Sequence, residues 1–116
     1  MKGTVTLIVP CYNEEESLPI FYHAVCDVAQ TLPDYQMTFL LINDGSKDNT
    51  LQIMRDLAAK DERVKYLSFS RNFGKEAAMY AGFCNAEGDY VAVMDADMQD
   101  PPSLLPQMIE ILEKEG

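Results

Sequence analysis

The sequence predicts an α/β protein with a parallel sheet enclosed by helices, three α/β/α layers deep, and three observations carry that prediction. Four short apolar runs rich in β-branched residues, Val5–Val9, Met37–Ile42, Val64–Phe69 and Tyr90–Met94, read as strands. Between them lie segments with apolar residues at helical spacing, long enough for the crossover that joins parallel neighbours. Each run is followed at once by polar residues, as at the ligand-binding edge of an open parallel sheet. Right-handed crossovers then give the spatial strand order 3-2-1-4, a Rossmann-like arrangement with all four polar loops on one edge.

The elements follow in order. After the first strand, Leu18, Phe21, Tyr22, Val25, Val28, Ala29 and Leu32 recur every three or four residues and form one helix face. Ser17 is placed as the N-cap of that helix, with Pro19 in the first turn where its missing N–H costs little. The second helix is expected from about Asp48 to Lys60, burying Leu51, Met54, Leu57 and Ala58, and stopped by Asp61-Glu62. A third, from about Gly74 to Ala86, carries the small residues Ala77, Ala78, Ala81 and Gly82, which allow close approach to a sheet, and Gly88 terminates it. A fourth begins after Pro101-Pro102, with Ser103 as its expected cap.

A chain of 116 residues, 47% hydrophobic, supports one core, so all its motifs share one fold. The net charge of −10 argues against a nucleic-acid partner or a broad attraction to anionic bilayers. Three widely spaced cysteines, Cys11, Cys26 and Cys84, form no CxxC pair and fit reduced thiols in a cytoplasmic compartment. No run is long enough to span a bilayer, and the sequence does not start with a signal peptide. It stops at the end of a helical pattern, Glu113-Lys114-Glu115-Gly116, so a fragment of a longer protein is expected.

The chemistry concentrates in the four strand-end loops, Pro10-Cys11-Tyr12-Asn13-Glu14-Glu15, Asn43-Asp44-Gly45-Ser46, Ser70-Arg71-Asn72-Phe73-Gly74-Lys75 and Asp95-Ala96-Asp97-Met98-Gln99-Asp100. In extended backbone Asp95 and Asp97 project to the same side, and Gln99 continues that side. These hard oxygen donors suit Mg²⁺ or Mn²⁺, which bind through one or two carboxylates plus substrate phosphates; the alternative is a set of loop and capping acids. Asp44 either shapes a Gly-containing turn or accepts a base N–H, which a carboxylate can do for uracil or guanine, with uracil favoured. Arg71 and Lys75 flank the start of the third helix, where they either face a pyrophosphate or act as solvated helix-end charges. His23, alone beside the first helix stripe, and the seven methionines read as structural.

Taken together the loops resemble the family 2 glycosyltransferases, through Val9-Pro10-Cys11-Tyr12-Asn13-Glu14, Asn43-Asp44-Gly45-Ser46 and Asp95-Ala96-Asp97. The stretches Ser70 to Ala78 and Asp95 to Pro102 look more narrowly like the polyprenyl-phosphate sugar transferases related to dolichyl-phosphate mannose synthase. The resemblance implies the N-terminal half of a GT-A fold. It places Pro10, Tyr12, Glu14 and Asp44 around the base and ribose of a nucleotide sugar. Asn13, Gly45, Ser46, Arg71 and Lys75 belong to the same donor site, and Asp95, Asp97 and Gln99 hold the diphosphate and its Mg²⁺ or Mn²⁺. It also implies an inverting transfer from a UDP-sugar, or a GDP-sugar, to a polyprenyl phosphate or a saccharide hydroxyl, at the cytosolic face of a membrane. Met98 stands where Leu is frequent, and the acceptor-binding segments of the family lie beyond residue 116, so no general base is assigned. An unprotected sheet edge would permit a homodimer. A noncatalytic nucleotide-sugar sensor stays open. A dehydrogenase would need a Gly-rich turn where Pro10-Cys11-Tyr12-Asn13-Glu14 stands, and a phospho-acceptor receiver would need paired acids at Pro10 and Cys11.

Overall fold

A computed structural model describes residues 3–97 and 102–115. The elements are β1 (Gly3–Cys11), α1 (Ser17–Gln30), β2 (Tyr35–Asn43), α2 (Thr50–Lys60), β3 (Val64–Ser68), α3 (Lys75–Asn85), β4 (Tyr90–Val93) and, after a 3₁₀ turn at Pro102–Leu104, α4 (Leu105–Glu115). The four strands are parallel and lie in the order β3-β2-β1-β4, as the crossover argument requires. Cys11 aligns with Asn43 and Asn43 with Ser68, so the polar loops leave the sheet at one edge.

Two-residue alternation along the strands divides the core. Val5, Leu7 and Val9 of β1 and Met37, Phe39 and Leu41 of β2 face Leu18, Phe21 and Val25 of α1, Met54 and Leu57 of α2, and Leu105 and Ile109 of α4. On the opposite face Ile8, Leu40 and Ile42 meet Ala78 of α3. The small-residue stripe explains the close approach there: a Cβ on Gly82 would sit 2.5 Å from Ile8 Cγ2, so only glycine lets α3 settle at this distance.

Several boundaries depart from the sequence expectation, each for a local reason. Strands β1 and β2 run to nine residues because full pairing from Gly3 with Tyr35 to Cys11 with Asn43 outweighs the weak strand character of their ends. Pro10 is tolerated inside β1. Ile8 O accepts from Met94 N and Cys11 O from Asp44 N, so the nitrogen of Pro10 faces the side that β4 has already left. Ser17 is not an N-cap: Glu16 holds that position, already in helical conformation and without a side-chain cap, and the Ser17 hydroxyl donates to Glu14 Oε2. Helix α2 starts at Thr50 because Asp48 forms a turn of its own, its Oδ1 accepting from Thr50 N at 2.9 Å. Ser103 lies exposed within the 3₁₀ turn rather than capping α4.

At the sheet edge away from the polar loops, Asp61 ties three elements together. Tyr22 of α1 donates to Asp61 Oδ2 at 2.6 Å, and Arg63 grips both carboxylate oxygens, at 3.0 Å through Nε and 2.8 Å through Nη2. The guanidinium holds the Asp61 carboxyl well below the usual carboxylate range.

Candidate donor-binding site

Where β4 parts from β1 the strand-end loops enclose a cavity of about 500 Å³. Of the residues the sequence singled out, Pro10, Tyr12, Glu14, Asp44, Lys75, Asp95 and Asp97 line it. Cys11, Asn72 and Gly74 complete the wall. Asn13, Gly45, Ser46 and Arg71 are not part of this lining, and Gln99 lies outside the described residues.

Asn13, Gly45 and Ser46 hold the loops in place. Ser46 Oγ accepts from Asn13 N at 2.9 Å, and Asn13 Oδ1 accepts from Lys47 N at 2.8 Å, which lashes the loop after β1 to the loop after β2. Asn13 adopts φ +54°, a left-handed conformation that Asn tolerates better than most residues. Thr50 Oγ1 and Asp48 Oδ2 accept from Glu14 N and Glu15 N, extending the lashing. Gly45 has φ +69°, and a Cβ there would lie 2.1 Å from the carbonyl carbon of Arg71, so the loop after β3 rests directly on its backbone. Arg71 turns its guanidinium over the Phe73 ring, 4.7 Å from the centroid.

The turn after β2 is closed by Asn43, whose Oδ1 accepts from Ser46 N at 3.0 Å, and Asp44 instead reaches across to the loop after β3. Asp44 is 3% exposed, and its carboxylate accepts from Phe73 N at 2.8 Å, Gly74 N at 3.0 Å and Asn72 Nδ2 at 3.1 Å. Asn72 Nδ2 also reaches the Asp44 carbonyl at 3.1 Å. The carboxylate thus clamps the loop that leads into α3 while still bordering the cavity. Sequence reasoning missed Asn72 as a partner, because its contact spans the gap between two loops distant in the chain.

At the end of β4, Met94 and Ala96 are each 1% exposed, which anchors the segment and leaves the alternating Asp95 and Asp97 facing the cavity. Lys75 Nζ sits 2.7 Å from Asp95 Oδ1. Burial pushes the Cys11 thiol well above its usual range, with the charges of Glu14 and Asp95 adding to the effect. The wall around Cys11 is therefore apolar and negative together. Among the described residues, no group of three or more His, Cys, Asp and Glu side chains is disposed to hold a metal ion. Two carboxylates on a shared wall nevertheless fit Mg²⁺ or Mn²⁺, ions that take one or two protein carboxylates and complete their shell with phosphate and water.

A parallel α/β sheet with an acidic, partly cationic cavity at the carboxyl ends of its strands has the form of a Rossmann-like domain with its candidate ligand site at the strand ends. The chain belongs to glycosyl transferase family 2, whose sequence model matches residues 6–116. It is 48% identical over 106 residues to the bactoprenol glucosyl transferase of Shigella phage SfV, covering 91% of this chain and 34% of that protein. To the undecaprenyl-phosphate 4-deoxy-4-formamido-L-arabinose transferase of Pseudomonas fluorescens (strain SBW25) it is 39% identical over 107 residues, 91% of this chain and 31% of that one. The fold is shared with the mannosyltransferase PcManGT from Pyrobaculum calidifontis, solved in complex with GDP-Man and Mn²⁺. There the TM-score is 0.73 at 23% identity, over 97% of this chain and 33% of that one. The chain spans about a third of the length of the curated relatives it matches. The GT-A fold and the family expected from the loop motifs are therefore both met.

Proposed function

We propose that the protein is an inverting glycosyltransferase that passes a sugar from a nucleotide-sugar donor to a polyprenyl phosphate. Residues 1–116 form the donor-binding part, and the acceptor is held by segments outside them. The observation that carries the reading is that Tyr12, Glu14, Asp44, Asp95 and Asp97, from three different strand-end loops, line one cavity. A base and ribose would meet Tyr12, Glu14 and Asp44, and a diphosphate would meet the β4 acids. The similarity to a bactoprenol glucosyl transferase and to an undecaprenyl-phosphate sugar transferase supports the acceptor.

Tyr12, 42% exposed at the rim, offers a face on which a base can stack. With three donors already on it, the Asp44 carboxylate keeps room for about one more, and the imide N–H of uracil fits that vacancy. Lys75, the first residue of α3 and part of the cavity lining, would counter a pyrophosphate, and Arg71 would have to turn from Phe73 to join it. Asp95, Asp97 and Gln99 would hold Mg²⁺ or Mn²⁺, which when bound stabilises negative charge on the departing nucleoside diphosphate. The bond from the anomeric carbon to the donor phosphate breaks as an oxygen of the lipid phosphate attacks from the opposite face, which inverts the centre. A lipid phosphate is already anionic, so Glu14 and the strand-end acids need supply no base. No helix among the described residues is long and apolar enough to cross a membrane. The outer side of β4 is an unpaired edge among the described residues and would serve a homodimer, which light scattering reads directly.

The test is a radiolabelled sugar-transfer assay with UDP-glucose or GDP-mannose and polyprenyl phosphate, using the longest form of the protein. Labelled lipid whose anomeric configuration is opposite to the donor's is the expected product. Transfer only to saccharide hydroxyls would move the acceptor, and donor binding without any turnover would make the protein a sensor.

A further inference from the structure

Among the described residues, the cavity contains an ion pair that a bound diphosphate and cation would have to rearrange. Lys75 Nζ lies 2.7 Å from Asp95 Oδ1, and their side chains are 57% and 22% exposed. The two ends of this pair are anchored differently. Asp95 is fixed between the buried Met94 and Ala96. The backbone that leads into Lys75 is fixed by the bonds from Phe73 N and Gly74 N to Asp44. The lysine stem itself is long, exposed and jointed, with three donors at its tip. Around the pair the wall is negative: Glu14 and Asp97 line the same cavity, and the charges of Glu14 and Asp95 already push the Cys11 thiol upward.

On the reading of this cavity as a nucleotide-sugar site, we propose that Lys75 is an exchangeable counter-ion. It neutralises Asp95 in the donor-free protein and moves to the diphosphate when donor and divalent cation bind together. An ammonium and a divalent cation repel one another on a single carboxylate, so Lys75 opposes binding of the cation alone. A diphosphate draws the ammonium away and frees Asp95, so each ligand favours the other. Lys75 thus makes metal and nucleotide binding interdependent, and it discourages a bare cation from occupying the site.

The experiment measures Mn²⁺ binding by electron paramagnetic resonance without nucleotide, and UDP and GDP binding by calorimetry with Mn²⁺ and with EDTA. Wild type is compared with Lys75→Met, Lys75→Gln and Lys75→Arg. Loss of the charge in Lys75→Met and Lys75→Gln is expected to strengthen Mn²⁺ binding alone by about three- to tenfold, and to weaken nucleotide binding in EDTA by a similar factor. The enhancement of Mn²⁺ affinity by nucleotide shrinks accordingly. Lys75→Arg keeps the wild-type pattern. If wild type binds neither nucleotide, the donor-site reading fails and the counter-ion role falls with it. If wild type binds nucleotide with metal but Lys75→Met and Lys75→Gln leave Mn²⁺ affinity unchanged or lower it, the counter-ion role alone is overturned.

Discussion

Replacing Asp44 by alanine should open the loop before α3 and lower stability by about 3 kcal/mol. Three hydrogen bonds end on this carboxylate, from Phe73 N, Gly74 N and Asn72 Nδ2. Bonds to an ionised acceptor contribute about 1.5–3 kcal/mol each, which bounds the gross loss at roughly 4–9 kcal/mol. Relief from burying the charge offsets several kcal/mol of that, since Asp44 is 3% exposed. Cavity water can also reach part of the freed loop, which leaves about 3 kcal/mol net. For a chain of this length that corresponds to a fall in Tm of roughly 10–15 °C. Circular dichroism melts give the shift, and hydrogen exchange at Phe73 and Gly74 locates it. Asn72→Ala, which removes only the side-chain arm of the clamp, should cost about 1 kcal/mol. A Tm change under about 3 °C in Asp44→Ala, with both amides still protected, would refute the clamp.

Other perturbations act on separate parts of the fold. Gly45→Ala combines a φ of +69° with a Cβ placed 2.1 Å from the Arg71 carbonyl carbon, so a loss of about 3 kcal/mol is expected in a denaturant titration. In native protein at pH 8 an aromatic disulfide reagent should modify exposed Cys84 readily and leave buried Cys11, its thiol held protonated, unreacted until the chain unfolds. The Asp61 carboxyl is depressed in the fold by Arg63, so its contribution is present above the unfolded value of about 3.9 and is lost as pH falls below it. Denaturation midpoints should therefore drop below about pH 4, and Arg63→Ala should flatten that drop.

The sheet and its order were legible because the signals are local and repeated. The runs around Ile8, Leu41, Leu67 and Ala92 mark four strands, the Phe21 and Met54 stripes mark helices, and the handedness of crossovers does the rest. Element ends were less legible, since Gly3, Thr4 and Cys11 join β1 through pairing with residues 32 positions on, which no local window sees. The same division runs through the site. Asp95 and Asp97 are expected together from their spacing after a strand, and both line the cavity, although β4 ends at Val93 and Ala96-Asp97 form a turn. The turn of Arg71 onto Phe73, the lashing of Asn13 to Ser46 and the hold of Asn72 on Asp44 depend on how separate loops meet. Gly45 belonged to a quoted motif, but the reason it must be glycine lies in the Arg71 backbone resting on it.

Binding of a nucleoside diphosphate in the cavity, through a divalent cation on the β4 acids, is read by calorimetric titration of UDP against GDP. Each is titrated with Mn²⁺ and with EDTA, in wild type and in Asp97→Ala. UDP is expected to bind, to bind more tightly with Mn²⁺, and to lose that increment in Asp97→Ala. Tighter binding of GDP would change the base assigned to Asp44 and leave the site standing. Equal affinity with Mn²⁺ and with EDTA in wild type, or no binding of either nucleotide, would contradict it.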